Sequence, residues 1–168
     1  MKDELSTQID MLLSKGNDRF EIRKRLETKD NTVALRHHLN NKALLKDKRT
    51  YRYPNIFLSL ILLFVTIGKI LGVVEDIRLA KGIYIFIFLI EPAVNMYILK
   101  EIVFFKRTGY QFLFIISVLS LLYQGNREFP AILFTLAMIT ISAFLYMKIF
   151  PKKNLIPAPV SKSSGKKR

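Results

Sequence analysis

Three polar side chains stand in the apolar middle of this chain with types and spacing that could do chemistry: Glu91, Asn95 and Lys69. Glu91 lies near the centre of Gly82–Leu99, GIYIFIFLIEPAVNMYIL, a run that is otherwise almost wholly apolar. A carboxylate at the middle of a bilayer costs at least several kcal/mol, so it must be protonated, paired or turned to water. Pro92 beside it lacks an N–H and frees a carbonyl about one turn back. Asn95 follows Glu91 by four residues and shares its helix face. Lys69 sits in the preceding apolar run, at a depth that differs by roughly 6 Å if the two helices are antiparallel, which a lysine stem can cover. This constellation is what a proton- or ion-coupled site or a substrate notch inside a membrane requires. The plainer alternative is a protonated or paired glutamate that fixes helix packing.

Other chemistry finds little support. His37 and His38 are adjacent, so on a helix they point about 100° apart and chelate poorly. The chain has no cysteine, which excludes disulfides, thiolate metal sites and a cysteine nucleophile. No metalloprotease helix, phosphate loop, nucleophile elbow or calcium loop is present. No enzymatic activity, cofactor or metal is therefore expected. Ser117, Ser120, Thr135, Thr140 and Ser142 read as small packing residues between helices, as do Ser59, Thr66 and Gly68.

The elements that would position Glu91 follow from how apolar and charged residues are segregated. Hydrophobic residues make up 51% of the 168 and charged residues 24%, and the charges gather before Pro54 and after Phe150. Such segregation suits lipid as solvent for the middle of the chain. Four spans are expected, at about 55–74, 82–99, 110–123 and 131–147. The third is short for a bilayer that needs about twenty residues. The fold class expected is thus all-α, an integral membrane four-helix bundle over 51–150. The hydrophilic first fifty residues contain no secretory signal, so the first apolar run is expected to serve as an uncleaved anchor.

Residues 1–50 read as a short cytoplasmic helical region. Leu5, Ile9, Leu12 and Leu13 recur at one-face spacing. Lys15-Gly16 supplies a stop, Asp18 and Glu21 form a capping box for a second helix, and Thr32 is placed to cap a third. A helix–turn–helix and a marginal amphipathic segment both fit this pattern. Lys42, Lys46, Lys48, Arg49 and Arg52 then form a basic strip that ends in Tyr51 and Tyr53, the signature of a membrane interface. Residues 151–168, rich in Pro, Ser and Lys, are expected to be a flexible basic tail.

The net charge of +14 is concentrated at the ends. Residues 1–54 carry 13 basic and 8 acidic side chains, and 151–168 carry 6 basic and no acidic ones. The loop near residues 100–107 is basic, whereas those near 75–81 and 124–128 are balanced, so both termini are expected in the cytoplasm. Nucleic acid is the weaker reading of this charge, because spanning proteins acquire flanking Lys and Arg for topology alone. The expected partners are the bilayer, anionic lipid headgroups, and a protein partner or a second copy. Small size and short connections favour a bacterial cytoplasmic membrane. The function expected is a non-enzymatic scaffold or regulatory subunit acting through the helical region and the tail. The alternative is a small transporter or channel component with its site at Glu91.

Overall fold

The computed structural model describes residues 2–28, 30–79 and 84–157. The disorder expected of 158–168 lies outside these residues. Among the described residues the protein is all-helical, with eight α-helices and no strands.

Three helices build the amino-terminal region: α1 (Lys2–Ser14), α2 (Arg19–Leu26) and α3 (Thr32–Asn41). Helix α1 stops where Gly16 takes a left-handed φ of 85°, a conformation that favours glycine. Asp18 and Glu21 then form the expected capping box at the start of α2. Each helix packs on the other two, and Ile9, Leu13, Ile22, Leu35 and Leu39 bury their side chains together. The sixth buried member of this core is Ile156. Residues 151–157 therefore do not continue as the free tail expected from their composition. Apolar Ile156 finds a slot between helices and stays there.

A short helix α4 (Leu45–Thr50) leads into α5 (Arg52–Leu79), α6 (Tyr84–Val103), α7 (Arg107–Ser120) and α8 (Ala131–Ile149). Helix α5 packs on α6 and α8, and α7 packs on the same two. Their shared core holds Leu58, Leu62, Ile98, Ile102, Tyr110, Leu113, Leu145 and Ile149. Pro92 lies inside α6, which continues through it.

Two segments, Arg52–Gly72 and Ala131–Ile149, are long and apolar enough to cross a bilayer. Only 28% of each is buried, so most of this apolar surface faces outward rather than into a protein core. The two helices suggest membrane association. The other two expected spans do not meet the same test. Helix α6 is interrupted by Glu91, Lys100 and Glu101, and α7 has 14 residues, about 21 Å of rise against roughly 30 Å of hydrocarbon. Among the described residues, two of the four expected spans thus coincide with helices of sufficient length and apolarity.

Across α5–α8 polar side chains are buried beside the apolar core, and large apolar ones face outward. Asn55, Thr66, Asn95, Ser117, Thr135 and Ser142 are buried, while Phe57, Phe64, Leu71, Leu119 and Leu133 are exposed. Three of these hydroxyls bond within their own helices: Thr66 donates to the Leu62 carbonyl at 2.6 Å, Thr135 to that of Ala131 at 3.0 Å and Ser142 to that of Ile139 at 3.1 Å. Such back-bonding removes the cost of burying a hydroxyl without calling on water.

Candidate functional site

The structure brings Lys69 and Glu91 together, and Asn95 differs from Glu91 in burial. Lys69 Nζ lies 3.2 Å from Glu91 Oε1. The Glu91 side chain is 57% exposed, whereas Asn95, one turn later, is buried at 7%. Carboxylate and amide thus stand in different surroundings along α6.

The basic strip also divides. Lys46, Arg49 and Arg52 are exposed, and Lys48 is half-buried. Lys42 departs from the strip: it is 9% exposed, and its ammonium lies 2.7 Å from Asp10 and donates to Ser6 Oγ at 2.9 Å. Its backbone pairs with Lys106 in an isolated antiparallel bridge. The reason is local: the chain turns into α4 just after Lys42 and carries it under α1.

The densest polar arrangement lies where α1–α3 meet the ends of α5–α8. Arg19 is fully buried there. Its guanidinium donates to the carbonyls of Leu39 at 3.0 Å, Lys42 at 2.8 Å and Asn154 at 3.3 Å, and stands 5.8 Å from the centre of the Phe150 ring. One side chain thus ties α2 to α3, to the turn before α4, and to the segment after α8. Burial pushes the Arg19 pKa down, while the charges of Asp47 and Asp18 oppose that effect and Arg107 adds to it. Asp47 is buried too, and its Oδ2 has no hydrogen-bond partner. Burial pushes its carboxyl above the ordinary aspartate range, against the pull of Arg19 and Lys46. Asn40 reinforces the junction by clamping the backbone of Ile156, donating to its carbonyl at 3.0 Å and accepting from its N–H at 2.8 Å.

The connection between α6 and α7 carries further ties. Glu101 is buried, pairs with Lys106 at 2.6 Å and accepts from the Thr108 hydroxyl at 2.8 Å. The Asn41 side chain accepts from the Thr108 N–H at 3.0 Å. Deeper in, Asn55 donates to the Ile102 carbonyl at 3.1 Å and accepts from the Tyr110 hydroxyl at 2.5 Å, which links α5, α6 and α7. Arg107 donates to the Tyr146 hydroxyl at 2.7 Å and joins α7 to α8.

Composition does not single out Arg19, Asp47, Asn40 or Asn55. One signal was available for Arg19: it precedes Ile22 by three residues and Leu26 by seven, so it shares the buried face of α2. No comparable signal exists for Asn40, whose partner lies 116 residues away. Among the described residues, no group of three His, Asp or Glu side chains converges as a metal site would need. His37 and His38 meet edge to face, with ring centres 5.9 Å apart.

Compared with known proteins, the chain matches no family model, and no curated protein and no solved structure matches it.

Proposed function

We propose that this protein is a four-span membrane scaffold, with α1–α3 held as a docking platform on the cytoplasmic side and no catalytic role. The observation that carries this reading is the seat of Arg19. A tethered, independently moving domain would not bury a guanidinium that reaches both the end of α3, at Leu39 and Lys42, and the Asn154 carbonyl beyond α8. The platform and the helix ends therefore behave as one body, as a scaffold must if it is to present a partner at fixed height above a bilayer. The outward apolar faces of α5 and α8 support the membrane part of the reading, as do the inward amide and hydroxyl groups of α5–α8. On this reading α6 and α7 cross as well, shielded in part by α5 and α8. Met11, Phe20 and Val33 are exposed on the three platform helices and offer apolar contact to a partner.

The second reading, a small transporter or channel component, is favoured by the Lys69–Glu91 contact at 3.2 Å. One set of variants separates the two. The full chain is cross-linked and purified from its native membrane, alongside Glu91→Gln and the pair Phe20→Ser, Val33→Ser. The scaffold reading expects one stoichiometric partner that survives Glu91→Gln and is lost from the double variant. Loss of ion flux in proteoliposomes on Glu91→Gln, with no partner in any preparation, would establish the transporter instead.

A further inference from the structure

Beneath α1, a groove of about 630 Å³ opens between the platform and the α6–α7 connection. Lys42, Lys48, Lys100, Lys106, Asp10 and Phe104 are among its lining residues. The charges do not cancel. Asp10 neutralises Lys42, and Glu101, behind the wall, neutralises Lys106. Among the described residues no acid pairs with Lys48 or Lys100, so two ammonium groups face the groove uncompensated. Three donors on each ammonium suit the oxygens of a phosphate.

The apolar edge narrows the choice of ligand. Phe104 is 59% exposed and Val103 52%, and they stand within about one turn of Lys100 where α6 ends. Cations on one side and exposed apolar side chains on the other match an amphiphile, whereas a free phosphate ester would use the cations alone. The height is right as well. Under the four-span reading, on which this inference rests, the end of α6 lies where the cytoplasmic leaflet places its phosphates.

We infer that this groove binds the headgroup of an anionic phospholipid, with Lys48 and Lys100 on the phosphate and an acyl chain along Phe104 and Val103. The site is distinct from the exposed strip of Lys46, Arg49 and Arg52, which would meet the surface only as diffuse charge.

The chain has no tryptophan, which allows a clean test. Phe104→Trp places a lone fluorophore at the mouth of the groove, and Leu133→Trp places one on the outer face of α8. Each full chain is reconstituted into phosphatidylcholine vesicles containing a minor fraction of brominated lipid, either phosphatidylglycerol or phosphatidylcholine. At Phe104→Trp, brominated phosphatidylglycerol should quench more efficiently than brominated phosphatidylcholine, at least about fivefold as one surface ammonium group would enrich it and up to about thirtyfold with both. Adding Lys48→Glu and Lys100→Glu should bring the two lipids to parity. At Leu133→Trp the two should quench alike. Equal quenching at Phe104→Trp overturns the site. So does recovery of its fluorescence on adding glycerol phosphate, which would assign the groove to a soluble ester. Absence of quenching by either lipid at Leu133→Trp overturns the membrane reading beneath it, a separate and recognisable failure.

Discussion

Arg19 and Asp47 are both buried, attract one another electrostatically, and lie where burial opposes each charge. Burial shifts the arginine pKa down and the aspartate pKa up, and in each case it outweighs the attraction between them. The sign of the consequence for Asp47 can be worked out. Its folded-state pKa lies above the unfolded value of about 3.9, so the folded protein binds the proton more tightly. The group therefore favours folding at acid pH and loses that contribution as pH rises from about 4 through its raised value. Asp47→Asn should flatten this limb of a thermal-stability profile and leave the protein at least as stable at pH 7. A variant that melts lower at pH 7 while keeping the same acid limb would show that attraction to Arg19 dominates. The sequence makes half of this junction legible. Spacing to Ile22 places Arg19 on a buried face, but carbonyls from residues 39, 42 and 154 are supplied only by the folded chain.

At the scale of elements, α6 and α7 approach closely at Gly109, in the first turn of α7. A Cβ built there would lie 2.8 Å from the Glu101 Cβ and 2.9 Å from the Glu101 carbonyl carbon and the Ile102 nitrogen. Two of these are backbone atoms of α6, which cannot step aside as a flexible side chain could. Gly109→Ala should therefore cost about 1–3 kcal/mol and lower the melting temperature in detergent by several degrees. Gly68→Ala is the matched control. Nothing lies within 4 Å of its Cβ position, and alanine gains up to about 1 kcal/mol in a helix interior. Equal effects at the two positions would refute the close crossing. The elements themselves were largely readable: the capping box, the Gly16 stop and the boundaries of α8 follow from local rules. Less readable was which lysine stays on the surface. Lys42 looks like its neighbours in a basic run, and only the path of the chain beneath α1 separates it from them.

Viewed whole, the protein places α1–α3, the α6–α7 connection and residues 151–156 at one end of α5–α8. A four-span arrangement makes this geometry testable with single cysteines in a chain that has none of its own. Lys24→Cys, Phe104→Cys and Lys153→Cys should react with an impermeant thiol reagent from one face of sealed vesicles, and Arg78→Cys and Asn126→Cys from the other. Labelling of Phe104→Cys together with Arg78→Cys would leave α6 and α7 outside the hydrocarbon. Basic and neutral connections alternate along the chain, and it is from this alternation alone that the expected labelling pattern is drawn. The docking of Ile156 was not legible, since one isoleucine between prolines has no periodicity to betray it. That docking has a consequence for biosynthesis. Arg19 leaves the ribosome 135 residues before the carbonyl of Asn154 that it binds, and Leu13, Ile22 and Leu39 wait as long for Ile156. The first helices to be made are thus the last to be finished, and a nascent chain halted before residue 150 would still present them to proteases and chaperones.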